Sequence, residues 1–218
     1  MKKILLPLLV LLLLTGCSKI DKASNQYDKI VNDILIKKNY NVNTASVGYK
    51  YYIPIGVNLV YDSNFNKKFM VDNTEFVLYV DVVSYYYKNN LNYNINTDNV
   101  YYYSKINDGY IYIENAPSGY YVKIIHNYAK IESYVKEENL VDVIVYSTII
   151  LNSISYNDNL ISNFIEEGIS LGNEIDYEIE KPENSESKFS QYLQEYVQET
   201  TAEDTDEVSE EDNLFELD

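Results

Sequence analysis

Between residues 44 and 136 the chain is dense in Tyr, Val and Ile and is cut at intervals by short turn signals. Such a pattern restricts this stretch to short strands, because β-branched and aromatic side chains suit a pleated, half-buried surface. Segments 47–53, 57–61, 75–87, 101–106, 110–114 and 120–134 read as strands. Asp108-Gly109 predicts a tight hairpin, since a two-residue turn that follows the strand twist needs positive φ at both positions. Pro117-Ser118-Gly119 predicts the next turn. Segment 120–134 fits either one long strand or two strands broken near His126-Asn127.

Helical spacing flanks this region. Tyr27, Ile30, Val31, Ile34 and Leu35 form one apolar stripe, with Ser24 as the expected cap and Lys37, Lys38 and an Asn-rich run at 39–43 ending it. A second helix is predicted over 137–151, opened by acidic residues, with Leu140, Ile144, Thr148 and Leu151 on one face and Val141 and Val145 beside them. Segment 154–156 reads as a short strand, 160–171 is ambiguous, and 174–180 reads as a last strand before Lys181-Pro182. A short helix with Tyr192 and Tyr196 on one side is expected over 188–198. The fold class is α+β: a bent antiparallel sheet flanked by helices over 24–181, followed by an acidic, mostly disordered tail at 182–218.

At the start, Lys2 and Lys3 precede an apolar run at 4–14 that contains Pro7 and falls short of the ~20 residues a spanning helix needs. The run ends in Leu14-Thr15-Gly16-Cys17, which resembles the lipobox of bacterial lipoprotein precursors. The resemblance covers residues 1–17. It implies cleavage between Gly16 and Cys17, a diacylglyceryl group on the Cys17 thiol, palmitate-type acylation, and a location on the outer face of the cell membrane. Two acyl chains bury roughly two dozen methylenes, worth on the order of 20 kcal/mol, so such an anchor is effectively permanent. Residues 18–23 read as a tether holding the domain within about 20 Å of the lipid. Cys17 is the only cysteine, which leaves no partner for an internal disulfide and no thiol nucleophile in the mature domain.

Charge narrows the partners. The sequence carries 17 basic and 34 acidic residues, a net −17, and no Arg. Nucleic acid and anionic headgroups repel such a chain. Acidity peaks after Lys188, where eleven acidic residues and no Lys remain. Within that tail Leu214, Phe215 and Leu217 form an apolar cluster suited to docking in an envelope partner's groove by folding on binding.

A second resemblance is carried by Tyr49 to Tyr52, Ile53-Pro54, Gly56 and Val57-Asn58-Leu59, followed late in the chain by 137–151 and Asn152-Ser153-Ile154. These stretches resemble the opening and closing elements of PsbP-like domains, although no Trp follows the Pro-Gly turn. The resemblance implies a bent antiparallel sheet flanked by helices, used in exported proteins for binding or assembly. It assigns no functional residues.

Catalytic signatures are sparse. His126, the only histidine, reads as a sheet or turn residue. Ser133-Tyr134-Val135-Lys136 has the spacing of a Ser-x-x-Lys motif, but in a strand an odd separation sends the two side chains to opposite faces. The Asn/Asp clusters at 96–99 and 157–159 lack the alternation of a calcium loop and read as turns. No metal or cofactor is expected. Tyr51-Tyr52, 85–87, 101–103 and Tyr120-Tyr121 fit either cross-strand packing or a stacked surface for sugar rings or an extended peptide. The expected role is a non-enzymatic binding or assembly module. A cell-envelope hydrolase using paired carboxylates and a transporter-associated solute receptor are the alternatives.

Overall fold

The computed structural model describes residues 19–37, 40–89, 99–168, 173–177 and 179, all within the unit Met1–Pro182. Gly16, Cys17, the expected helix at 188–198 and the tail with Leu214, Phe215 and Leu217 lie outside the described residues.

Helix α1 spans Lys19–Leu35. It begins five residues before Ser24, so Ser24 is not its cap, and the expected tether is helical from Lys19 onward. With no Gly or Pro between residues 18 and 35 to stop it, the helix propagates back toward Cys17. The predicted stripe holds: Tyr27 and Val31 are buried, while Ile30, Ile34 and Leu35 are half-buried.

Strands β1 (Thr44–Ser46), β2 (Tyr49–Tyr51) and β10 (Ser155–Tyr156) form a small antiparallel sheet in the order β1-β2-β10. The predicted strand at 47–53 is extended only over 49–51, as β2; Val47 and Gly48, the latter with φ +81°, turn the chain between β1 and β2. Strands β3 (Asn58–Ser63), β4 (Asn66–Val71), β5 (Thr74–Val80), β6 (Val100–Ile106), β7 (Gly109–Ala116), β8 (Gly119–His126) and β9 (Ala129–Val135) form the main sheet. Its order is β3-β4-β5-β9-β8-β7-β6, antiparallel throughout. The α+β class is as expected, with the strands divided between two sheets.

Other differences have local causes. The segment at 75–87 stays extended only to Val80, then becomes helix α2 (Val82–Tyr87). Asp81 caps it, accepting from the Ser84 amide at 2.8 Å, and Lys88 closes it in the left-handed conformation. The segment at 120–134 is two strands, parted at Asn127 and Tyr128, both with positive φ. Asp72 and Asn73 make the same mirror-image turn between β4 and β5. The Asp108-Gly109 hairpin is present, but Ile106 pairs with Gly109, leaving Asn107 and Asp108 as the loop. Neither Asp108 nor Gly109 is left-handed. Glycine is required at 109 because a Cβ there would lie 1.9 Å from the Ile125 carbonyl oxygen.

After β9, a 3-10 turn (Glu137–Asn139) leads into helix α3 (Leu140–Ser153). Leu140, Ile144, Thr148 and Leu151 are buried as predicted, joined by Val143, Ser147 and Ile150. The ambiguous segment becomes helix α4 (Asp158–Glu166), with Asn157 accepting from the Leu160 amide at 3.1 Å. Residues 173–177 and 179 are not a strand. They are pinned instead by Asn66, which accepts from the Ile175 amide at 2.9 Å and donates to the Asn173 carbonyl at 3.1 Å.

The inner face of the main sheet presents Phe69, Phe76, Leu78, Ile111, Ile113, Val122, Ile124 and Ile131, each essentially solvent-free, and α3 packs on β8 and β9 there. Helix α1 packs on α3. The edge strands each carry a register shift, at Leu59/Tyr61 in β3 and at Val100/Tyr102 in β6. Replacing Gly109 by Ala forces backbone away from backbone, so we expect a loss of about 2–3 kcal/mol in urea unfolding of the purified domain.

Candidate binding cleft

Two adjoining hollows open between the β1–β2 hairpin, the β3–β4 turn and α4. They have volumes of about 590 and 510 Å³ and share Ala45, Ser46 and Leu160 in their walls. The first adds Asp62, Asn64 and Phe164; the second adds Tyr49, Lys50, Asn157 and Asn159.

Close packing fixes the walls. A Cβ on Gly48 would meet the Ile161 side chain at 2.8 Å, so the hairpin tip lies directly on α4. The Asn157 amide donates to the Gly48 carbonyl at 2.8 Å, joining helix cap to turn. Behind this contact Tyr85 from α2 stacks on Tyr156 with ring centroids 3.7 Å apart, and its hydroxyl donates to Asp158 at 2.7 Å. Burial, then the Asp158 hydrogen bond, pushes the Tyr85 hydroxyl up to about 12. Lys88 lies over the other reach of that ring, 3.4 Å from its centroid.

On the opposite wall, Lys67 is fully buried at the foot of the β3–β4 turn. Its ammonium donates to Asp62, to the Asn64 carbonyl at 2.6 Å and to Ser46 Oγ at 3.0 Å. Burial holds the Lys67 amine below its ordinary range, against the opposing pull of the Asp62 carboxylate. All three ammonium protons are therefore committed, and Ser46 Oγ spends its own proton on the Asn64 carbonyl at 2.7 Å. Tyr49 donates to the same carbonyl at 2.7 Å. This convergence on Asn64, itself at φ +35°, braces the turn rather than activating the serine.

The outer face of the main sheet is a second polar surface. Glu132 accepts from Lys123 at 2.8 Å, from Lys130 at 2.6 Å and from the Tyr121 hydroxyl. Burial works against its ionisation, but these three donors outweigh it and hold the carboxyl below the usual range. Lys130 also pairs with Glu174, and Lys68 with Glu75 while lying 5.4 Å from the Tyr177 ring centroid. Segment 173–177 thereby packs on β4, β5 and β9. The Tyr runs serve mainly in packing: Tyr51 and Tyr102 are buried, and Tyr101–Tyr120 and Tyr121–Tyr134 pack ring on ring at 4.6 and 5.0 Å.

The structure disperses the remaining sequence candidates. Ser133 is buried in β9 and donates to the Glu75 carbonyl at 2.7 Å, while Lys136 is exposed beyond the strand end. Asn157 caps α4, and Asp158 in its first turn accepts from Tyr85; residues 96–98 of the other cluster lie outside the described residues. Among the described residues, no group of three or more His, Cys, Asp or Glu is placed to hold a metal. The cleft itself had no sequence signature, because its polar groups come from five separate elements.

Comparison with known proteins adds the address. Residues 1–18 match the family model of the prokaryotic membrane lipoprotein lipid attachment site, a stretch containing Gly16 and Cys17. The chain is a bacterial lipoprotein precursor, and its product is membrane-associated through lipid. No curated protein and no solved structure matches it. Among the described residues, no helix is long and apolar enough to cross a membrane.

Two outcomes follow from these sites. Asp62→Asn leaves a buried ammonium without its counter-charge, whereas Lys67→Met leaves only a half-exposed carboxylate, so the first should cost more, about 2–3 kcal/mol in urea unfolding. His126 is buried with Nδ1 unpartnered, and burial lowers its pKa despite the Asp108 carboxylate nearby. A lowered folded pKa means stability is whole above the unfolded value, near 6.5, and falls as pH drops below it. The melting temperature of His126→Gln should therefore decline less between pH 7 and pH 5 than that of the native chain.

Proposed function

We propose that this lipoprotein is anchored through Cys17 on the outer face of the cell membrane and acts as a non-enzymatic binding or assembly module. The observation that carries the reading is the cleft at Ser46, Asn64 and Leu160. It offers open volume lined by amides, hydroxyls and a few apolar side chains, while its one serine–lysine pair is consumed in bracing a turn. Such a lining binds a neutral polar ligand or an extended chain and contributes orientation rather than reaction chemistry. The carboxylates that a hydrolase would use are also engaged, Asp62 by Lys67 and Asp158 by Tyr85. The net charge of −17 favours a protein or neutral polymer of the envelope over nucleic acid. Leu214, Phe215 and Leu217 in the tail supply a second docking element for an envelope partner.

Crosslinked co-purification from native membranes tests this. We expect one partner with the full lipidated chain and its loss with Leu160→Asp, a change the first turn of α4 accommodates because acidic residues suit a helix start. The Leu160→Asp chain should keep its melting temperature. A chain ending at Lys188 that loses the partner places the contact on Leu214, Phe215 and Leu217 instead. Turnover of envelope glycans that vanishes with Asp62→Asn or Asp158→Asn would overturn the reading in favour of a hydrolase.

A further inference from the structure

We propose that helix α1 is a rigid stalk, standing the domain upright on the membrane with the cleft turned away from the lipid. The helix starts at Lys19, two residues after the Cys17 of the lipid attachment site. Two residues give at most about 7 Å of slack, so the anchor and the helix start are nearly one point.

From Tyr27 onward the helix is clamped to the domain. The hydroxyls of Tyr102 and Ser104 both donate to Asp28 at 2.6 Å, and Tyr27 meets the Tyr102 ring edge-on at 5.3 Å. Val31 is 1% exposed. Asn152, at the end of α3, donates to the Ile34 and Lys37 carbonyls at 2.9 Å each. Contacts at both ends of its second half prevent the helix from swinging on the sheet.

Those contacts also set a direction. Tyr27 packs on Tyr102 near the start of β6, and the neighbouring Tyr101 packs on Tyr120 at the start of β8, ring centroids 4.6 Å apart. That end of the sheet carries the turns at Asp72-Asn73 and Pro117-Ser118. The other end carries Asn64, the Asn127-Tyr128 turn and the cleft, with α1 ending beside Asn152. From Lys19 to Tyr27 the helix rises about 12 Å, and β8 adds roughly 25 Å toward the cleft. The cleft therefore stands on the order of 35 Å from the stalk's membrane end.

Charge keeps the stalk clear. The exposed residues of the near rim include Asp72, Glu137 and Glu138 beside Lys136. Anionic headgroups repel that rim whenever a tilt brings it within about one Debye length, ~8 Å, of the surface. A ligand must then reach the cleft from the envelope side and not from the bilayer.

Cys17 being the only cysteine makes the test direct. Its acylation leaves an added cysteine as the one thiol open to labelling. Glu138→Cys and Asn159→Cys are labelled with a donor dye in the lipidated full chain, on phosphatidylcholine–phosphatidylglycerol vesicles with a headgroup acceptor. Energy transfer should be several-fold stronger from 138 than from 159. A flexible Gly-Ser spacer of about ten residues between Ser18 and Lys19 should erase the difference without altering the fold. Equal transfer from the two positions in the native chain, or a difference that survives the spacer, would overturn the stalk.

Discussion

The burial of helix α3 is the constraint on which the other elements depend. Leu140, Val143, Ile144, Ile150 and Leu151 are each at most 2% exposed, and their spacing puts them on one broad face of the helix. The helix packs on β8 and β9, on β2 and on α1, so three bodies meet on one apolar rod. Each such side chain contributes roughly 1.5–3 kcal/mol on burial. Polar ends lock the register: Ser153 accepts from the Tyr52 amide at 2.9 Å and returns its proton to the Ile150 carbonyl at 2.7 Å. The small sheet, and with it one wall of the cleft, is positioned by these bonds. Its sequence, rich in Val, Ile and Thr, is a poor helix former by propensity. Tertiary burial on several sides overrides that preference.

Much of the strand pattern was legible because turns and alternation agree between 100 and 135, where the register runs almost without interruption. What escaped was where a charge or a cap broke the pattern. Strand β4 reads Asn-Lys-Lys-Phe-Met-Val, and a lysine pair does not announce a buried strand. Lys67 nevertheless points inward, because Asp62, Asn64 and Ser46 neutralise and saturate its ammonium. Likewise Tyr85, Tyr86 and Tyr87 continue an aromatic strand pattern in composition, yet Asp81 redirects the backbone into a helix. The early start of α1 was hidden because its first two turns show no apolar stripe against which to read a period.

The cleft was illegible for a different reason. Its walls derive from residues near 46, 49, 62, 157 and 160, separated by up to more than a hundred positions, and the pairings that unite them are single hydrogen bonds. Local patterns encode elements, not the gaps between them. Only Gly48 and Asn157 carried local cues, one for a left-handed turn and one for a helix cap, and neither announces a hollow. The address at the N-terminus, by contrast, is read linearly by cellular machinery and so must be spelled out in consecutive residues.

The bulges in β3 and β6 take on a meaning when the lipid anchor is considered with them. An open seven-stranded sheet exposes two rows of backbone donors and acceptors, which are templates for another copy's edge. Tethering confines copies of a chain to a thin layer, a geometry in which encounters between matching edges are frequent. A shifted register in each edge strand twists the hydrogen-bonding row out of line. An edge shifted in this way is a poorer template for the matching edge of another copy.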